Sequence, residues 1–145
     1  MPEKLKKLLQ NSHSPYYKYK VAAIIECKDG KTFEGVNIET SSPASGVCAE
    51  RNAIYSAISH GYKKGDFKHL YIMNSSDKEC YPCFVCRQTL MDFCENIEIT
   101  TYTKEGKNKT VNLKELCPYP FESSDIKWKA DLSALPEDQT PGNQP

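Results

Sequence analysis

Val47-Cys48-Ala49-Glu50-Arg51 and, farther along, Pro82-Cys83-Phe84-Val85-Cys86 each stand where a loop gives way to a helical pattern. Before the first lies Thr40 to Gly46, a run of Ser, Pro, Ala and Gly. After it, Ala49, Ala53, Ile54, Ala57 and Ile58 recur at helical spacing from Cys48 to His60, and Gly61 offers a stop. Before the second lies the loop Asn74 to Pro82. After it, Cys83 to Cys94 reads as a helix with Val85, Leu90 and Phe93 facing inward.

Working outward, Tyr19 to Cys27 is rich in Val, Ile and Ala and reads as a buried strand. Asp29-Gly30 is a hairpin turn, and Lys31 to Glu39 the returning strand. Pro2 to Asn11 is a short amphipathic helix carrying Leu5, Leu8 and Leu9, broken by Ser12 to Pro15. His69 to Met73 is a short strand between the two motif helices. Ile97 to Tyr102 and Lys109 to Asn112 are strands around Gly106, and Leu113 to Cys117 is a helical turn before Pro118. The order helix, strand, strand, helix, strand, helix, strand, strand predicts an α/β domain: one mixed sheet with helices on its faces. From Ser133 the chain has no apolar period and reads as disordered.

Composition excludes several classes. Lys plus Arg equals Asp plus Glu at 19 each, so no basic excess prepares the chain for nucleic acid. No apolar run reaches membrane-spanning length, and Met1 to Gln10 lacks the features of a signal peptide. These features predict a cytoplasmic protein. In a reducing compartment a cluster of Cys points to metal or catalysis before disulfides.

The chemistry follows from the helix starts. A helix N-terminus offers free N–H groups and partial positive charge, which favour thiolate, the form that binds zinc. Cys83 and Cys86 are spaced to share one ion, and Cys48 supplies a third sulfur if the two helix starts face each other. Three protein ligands and an open position are the pattern of a catalytic zinc site, whereas structural sites close with four. Glu50, two residues beyond Cys48, is the candidate proton carrier. Zinc with three thiolates is left net negative, and either Arg51 or Arg87 could donate hydrogen bonds to the sulfurs. Cys80 is the rival fourth ligand, and with it the site would be a non-catalytic scaffold. Cys27, Cys94 and Cys117 fall in apolar segments and read as core, while His13, His60 and His69 lie outside both motifs.

These residues resemble the small, three-Cys class of cytidine deaminases, from Leu5 to Ser124. The motifs are S-P-Y-x-K-Y-x-V at Ser14 to Val21, G-x-N-I-E at Gly35 to Glu39, C-A-E-R-x-A-I at Cys48 to Ile54, P-C-x-x-C-R-Q at Pro82 to Gln88 and L-x-E-L-x-P-x-x-F at Leu113 to Phe121. The resemblance implies a three-layer fold with a five-stranded mixed sheet flanked by helices, a domain over 1–128 with a tail over 129–145, and a homotetramer. It implies hydrolysis of cytidine and deoxycytidine to the uridines and ammonia in pyrimidine salvage, with one zinc ion per chain. Asn37 and Glu39 would then hold the ribose, chiefly its 3′-hydroxyl. Glu50 would also contact ring N3, and the backbone of Cys48 and Ala49 the base edge. Tyr19 would stack on the base, Phe121 would reach a neighbouring subunit's site, and Arg51 would hydrogen-bond the zinc thiolates.

Ala22, Pro43, Tyr81, Phe84 and Val85 depart from the family pattern and bear on pocket size, substrate range and contacts between subunits. A relative acting on a modified cytosine nucleoside such as blasticidin S would share the two Cys motifs; the Asn37/Glu39 pair and Arg51 favour free nucleosides. A nucleic-acid base editor usually begins with His where this chain has Cys48.

Overall fold

The central strand β1 (Val21–Cys27) is buried along nearly its whole length, so it lacks the apolar–polar alternation of a half-exposed strand. Ala23, Ile25 and Cys27 enter the larger core on one face, and Ala22 and Ile24 enter a smaller core on the other. β1 pairs antiparallel with β2 (Thr32–Val36) on one side and with β3 (Phe67–Asn74) on the other. The β1–β2 turn is made by Gly30 at φ 86° and by Asp29, whose Oδ1 accepts from the Lys31 amide at 3.0 Å. β3 runs parallel to β4 (Glu98–Tyr102), and β5 (Asn108–Asn112) returns antiparallel beside it. The sheet order is β2-β1-β3-β4-β5, five strands of mixed direction. This computed structural model describes residues 1–122; the expected domain limit at 128 and the tail over 129–145 lie outside them.

Helices cover both faces. α1 (Pro2–Leu9) buries Leu5 and Leu9 against Ala22, Ile24 and Met73. On the opposite face, α2 (Ala49–Ser59), α3 (Phe84–Phe93) and α4 (Leu113–Leu116) contribute Ala49, Ala53, Ile54, Ala57, Leu90 and Leu113 to the larger core. The result is the expected three-layer α/β arrangement.

Topology then places the two motifs together. Val21 at the start of β1 pairs with Asn74 at the end of β3, and its neighbour Ala22 pairs with Val36 at the end of β2. The loops that follow β2 and β3 therefore leave the same end of the sheet. One leads to Cys48, the N-cap of α2, and the other to Cys83, the N-cap of α3. α2 seats closely on β2 because position 35 is glycine: a Cβ there would overlap the Ala49 carbonyl oxygen and the Ala53 nitrogen. Asn52 adds a hydrogen bond from Nδ2 to the Val36 carbonyl at 3.1 Å.

Some boundaries differ from expectation. β1 begins at Val21 and not at Tyr19, because Lys18 takes φ 56° and reverses the chain just before it. β3 begins two residues earlier than expected, at Phe67. The inner face of α3 is Cys86, Thr89 and Leu90, while Val85 and Phe93 are exposed. Cys27 and Cys94 are core residues, but Cys117 is half-buried.

Candidate active site

Cys48, Cys83 and Cys86 come together, their sulfurs all within 4.8 Å of one another. Tetrahedral zinc with Zn–S bonds of about 2.3 Å separates its sulfurs by about 3.8 Å. The Cys48 and Cys83 sulfurs lie 3.8 Å apart, so the donor set fits such an ion in both chemistry and spacing. Cys80 is not part of this cluster; its sulfur lies 3.9 Å from the Tyr81 carbonyl oxygen.

The groups around the Cys48 sulfur favour its thiolate form. The Cys86 thiol donates to Cys48, the Arg51 guanidinium approaches the same sulfur at 3.9 Å, and together they pull the Cys48 thiol down to about 5 against the cost of burial. Cys86 moves the opposite way, held as a thiol by that shared bond and by burial. Of the two arginines, Arg51 faces the sulfurs. Arg87 is committed elsewhere: Nε donates to the Pro82 carbonyl at 2.7 Å, Nη1 to the Leu116 carbonyl at 2.8 Å, and its guanidinium lies over the Phe84 ring.

Glu50 occupies the first turn of α2 and is 5% exposed. Burial foremost, and the charge on Cys48, push its carboxyl up to about 7, opposed by its own backbone amide. It opens onto a cavity of 420 Å³ shared with Cys48, Cys83, Tyr19, Asn37, Glu39, Ala49 and Tyr81. Phe121 is not in that lining; it is 58% exposed and its backbone pairs with the Gln88 side chain through Phe121 N to Oε1 (3.1 Å) and Nε2 to Phe121 O (2.7 Å).

Asn37 and Glu39 are already in use within the chain. Asn37 Oδ1 accepts from the Val21 amide at 2.8 Å and from the Ser12 hydroxyl, and Nδ2 donates to the Tyr19 carbonyl at 2.8 Å. Glu39 Oε2 accepts from the Tyr16 amide at 2.7 Å and the Tyr17 amide at 3.2 Å. An amide nitrogen has two N–H groups and a carboxylate about four acceptor positions, so Asn37 keeps one donor and Glu39 keeps acceptors. A ligand hydroxyl that accepts from one and donates to the other satisfies both.

Tyr17, Val21 and Cys80 also line the cavity, a role the sequence did not assign to any of them. Tyr17 was within reach, since it belongs to the S-P-Y-x-K-Y-x-V stretch. Cys80 was seen only as a rival ligand. Burial foremost, and the neighbouring Cys80 thiol, push the Tyr19 phenol well above its usual range. Of the histidines, His13 and His60 are exposed and His69 lies on β3, away from the cavity.

Residues 1–102 match the cytidine and deoxycytidylate deaminase zinc-binding region. The chain belongs to the cytidine deaminase family. It is by that membership an enzyme, a hydrolase. The deaminase is 30% identical over 127 residues to the cytidine deaminase of Sporosarcina psychrophila, spanning 87% of this chain and 92% of that one. It is also 31% identical over 110 residues to the blasticidin-S deaminase of Bacillus cereus, spanning 72% of this chain and 78% of the other. Among solved structures, the cytidine deaminase of Burkholderia pseudomallei superposes with a TM-score of 0.78 at 30% identity, covering 82% of this chain and 94% of that one. Among the described residues, no helix is long and apolar enough to cross a membrane.

Proposed function

We propose that the chain deaminates cytidine and deoxycytidine by zinc-dependent hydrolysis, giving the uridines and ammonia. One observation carries the reading: the buried carboxyl of Glu50 and two of the three clustered sulfurs open onto the same cavity as Tyr19, Asn37 and Glu39. Cys48, Cys83 and Cys86 would hold one zinc ion per chain. When bound, zinc supplies a water that is acidic enough to act as nucleophile at neutral pH.

The chain's own residues do the rest. Glu50 takes a proton from the attacking water as its oxygen bonds to C4 of the ring, and passes that proton to N3. It carries the second proton to the 4-amino group, and the C4–N bond breaks to release ammonia. Asn37 donates to the ribose 3′-hydroxyl and Glu39 accepts from it, a role supported by the one donor and the acceptors each retains. Tyr19 stacks on the base and the backbone at Cys48 and Ala49 meets its edge. Arg51 hydrogen-bonds the Cys48 sulfur and offsets the negative charge of the thiolates. A homotetramer is part of the same reading, with Phe121 exposed and free of its own cavity so that it serves a neighbour's. The setting is pyrimidine salvage in the cytoplasm, a reducing compartment in which clustered cysteines serve as metal ligands.

The test is ammonia release from cytidine, deoxycytidine and blasticidin S side by side, with zinc counted per chain. The reading expects turnover of the two nucleosides and one zinc. Turnover of blasticidin S alone would favour the modified-nucleoside relative, and zinc without any turnover would favour a scaffold.

A further inference from the structure

Part of the cavity wall comes from the loop between β3 and α3, which forms neither strand nor helix along 75–83. Such a segment must find partners for its peptide groups one at a time. Asn74, fully buried, serves one part: Nδ2 donates to the Lys78 carbonyl at 3.0 Å and Oδ1 accepts from the Ser76 amide at 2.6 Å. Arg87 serves another through the Pro82 carbonyl. Between them lies the part that faces the cavity, Cys80 and Tyr81.

Thr101 of β4 serves that part. Its hydroxyl donates to the Cys80 carbonyl at 2.8 Å and accepts from the Cys80 amide at 3.3 Å, so one side chain satisfies both polar groups of one residue. Thr101 is 0% exposed and does not line the cavity itself. Cys80, held by that grip, lines the same cavity as Tyr19. Thr101 thus reaches the ligand only through Cys80, while the sulfur cluster and Glu50 are carried by α2 and α3.

We propose that Thr101 is a positioning residue for substrate binding: its hydroxyl fixes the Cys80–Tyr81 wall of the cavity that Tyr19 also lines, at the width a pyrimidine nucleoside requires. The inference rests on the cytidine-deaminating reading of the same cavity. It separates two quantities. Loosening the wall weakens the hold on substrate, whereas the groups that move protons keep their places.

The experiment compares wild type, Thr101→Val and Thr101→Ser, each zinc-loaded, for cytidine kinetics and for equilibrium binding of uridine by calorimetry. Valine keeps the volume but leaves the Cys80 amide and carbonyl without their partner. Thr101→Val is expected to raise KM for cytidine and Kd for uridine by about tenfold or more, with kcat within about threefold and zinc unchanged. Thr101→Ser, which keeps the hydroxyl, is expected within about twofold of wild type in both. A valine variant with unaltered KM and Kd overturns the inference, as does a serine variant as impaired as the valine one, or a loss confined to kcat. Should Thr101→Val not fold, Thr101→Ala is judged by the same criteria. A wild type that neither deaminates cytidine nor binds uridine overturns the functional reading and this inference with it; a wild type that does both beside an unaltered Thr101→Val overturns this inference alone.

Discussion

Gly35 on β2 lies directly beneath the Ala49 carbonyl of α2, so close that a side-chain carbon at position 35 would overlap it. That contact sets the height of α2 above the sheet, and with it the positions of Cys48 and Glu50. The obstruction is backbone, which cannot swing aside as a flexible side chain can. Gly35→Ala is therefore expected to lower unfolding free energy by about 1–3 kcal/mol, toward the upper end. Urea unfolding measures it, and zinc content should fall in parallel. An alanine variant with the wild-type midpoint and full zinc would show that α2 is not held by this contact.

Arg51 approaches the Cys48 sulfur at 3.9 Å. Its charge favours the thiolate, so removing it weakens the donor set without removing a donor. Arg51→Ala is expected to bind zinc roughly 10- to 100-fold less tightly. Competition against a chromogenic chelator reads this directly. Arg51→Lys, which keeps the charge but loses the planar fork, should fall between. Equal affinities in all three would assign Arg51 to the fold alone.

Glu39 holds the Tyr16 and Tyr17 amides mainly through Oε2. Glu39→Gln keeps one oxygen for those amides and loses the charged acceptor offered to a ribose hydroxyl. The expected result is an increase in KM for cytidine of about tenfold with little change in thermal midpoint. If KM stays put, or if the midpoint drops as far as the binding does, the carboxylate serves the loop and not the sugar.

His69 bears on stability against pH. Its ring stacks on Tyr71 at 4.1 Å between centroids and its Nε2 meets the Thr100 hydroxyl at 2.7 Å. Burial lowers its pKa below the usual 6.5, although Glu98 and Glu26 oppose the shift. The unfolded chain therefore takes up a proton at higher pH than the folded one. The neutral ring's contribution is complete above about pH 6.5 and is lost as pH falls from there through the lower folded value. His69→Gln is expected to flatten this part of the stability curve. Urea midpoints of the two proteins at pH 7.5 and 5.5 test it, and curves that stay parallel would contradict the assignment.

Much of the fold was legible because its signals are local. The Asp29-Gly30 turn announced the β1–β2 hairpin, and the apolar spacing after Cys48 announced α2. The sulfur cluster was legible because Cys48 and Cys83 cap the two helices that start from one end of the sheet. What escaped depends on distant contacts. Nothing near Lys18 announces its positive φ, which ends the strand short of Tyr19. Cys80 lines the cavity while bonded to a hydroxyl on β4, 21 residues away in sequence, and a thiol's place in a loop carries no periodicity to reveal it. Val85 and Phe93 are apolar and helically spaced, yet α3 turns Cys86, Thr89 and Leu90 to the core and leaves those two exposed.

The central claim is that Glu50 moves the protons while the sulfurs alone hold the metal. The direct measurement is ammonia release from cytidine by Glu50→Gln, with zinc counted on the same sample. Glu50→Gln is expected to keep a full complement of zinc while turnover falls by about 10²–10⁴-fold. A variant that retains zinc and most of its activity would contradict it.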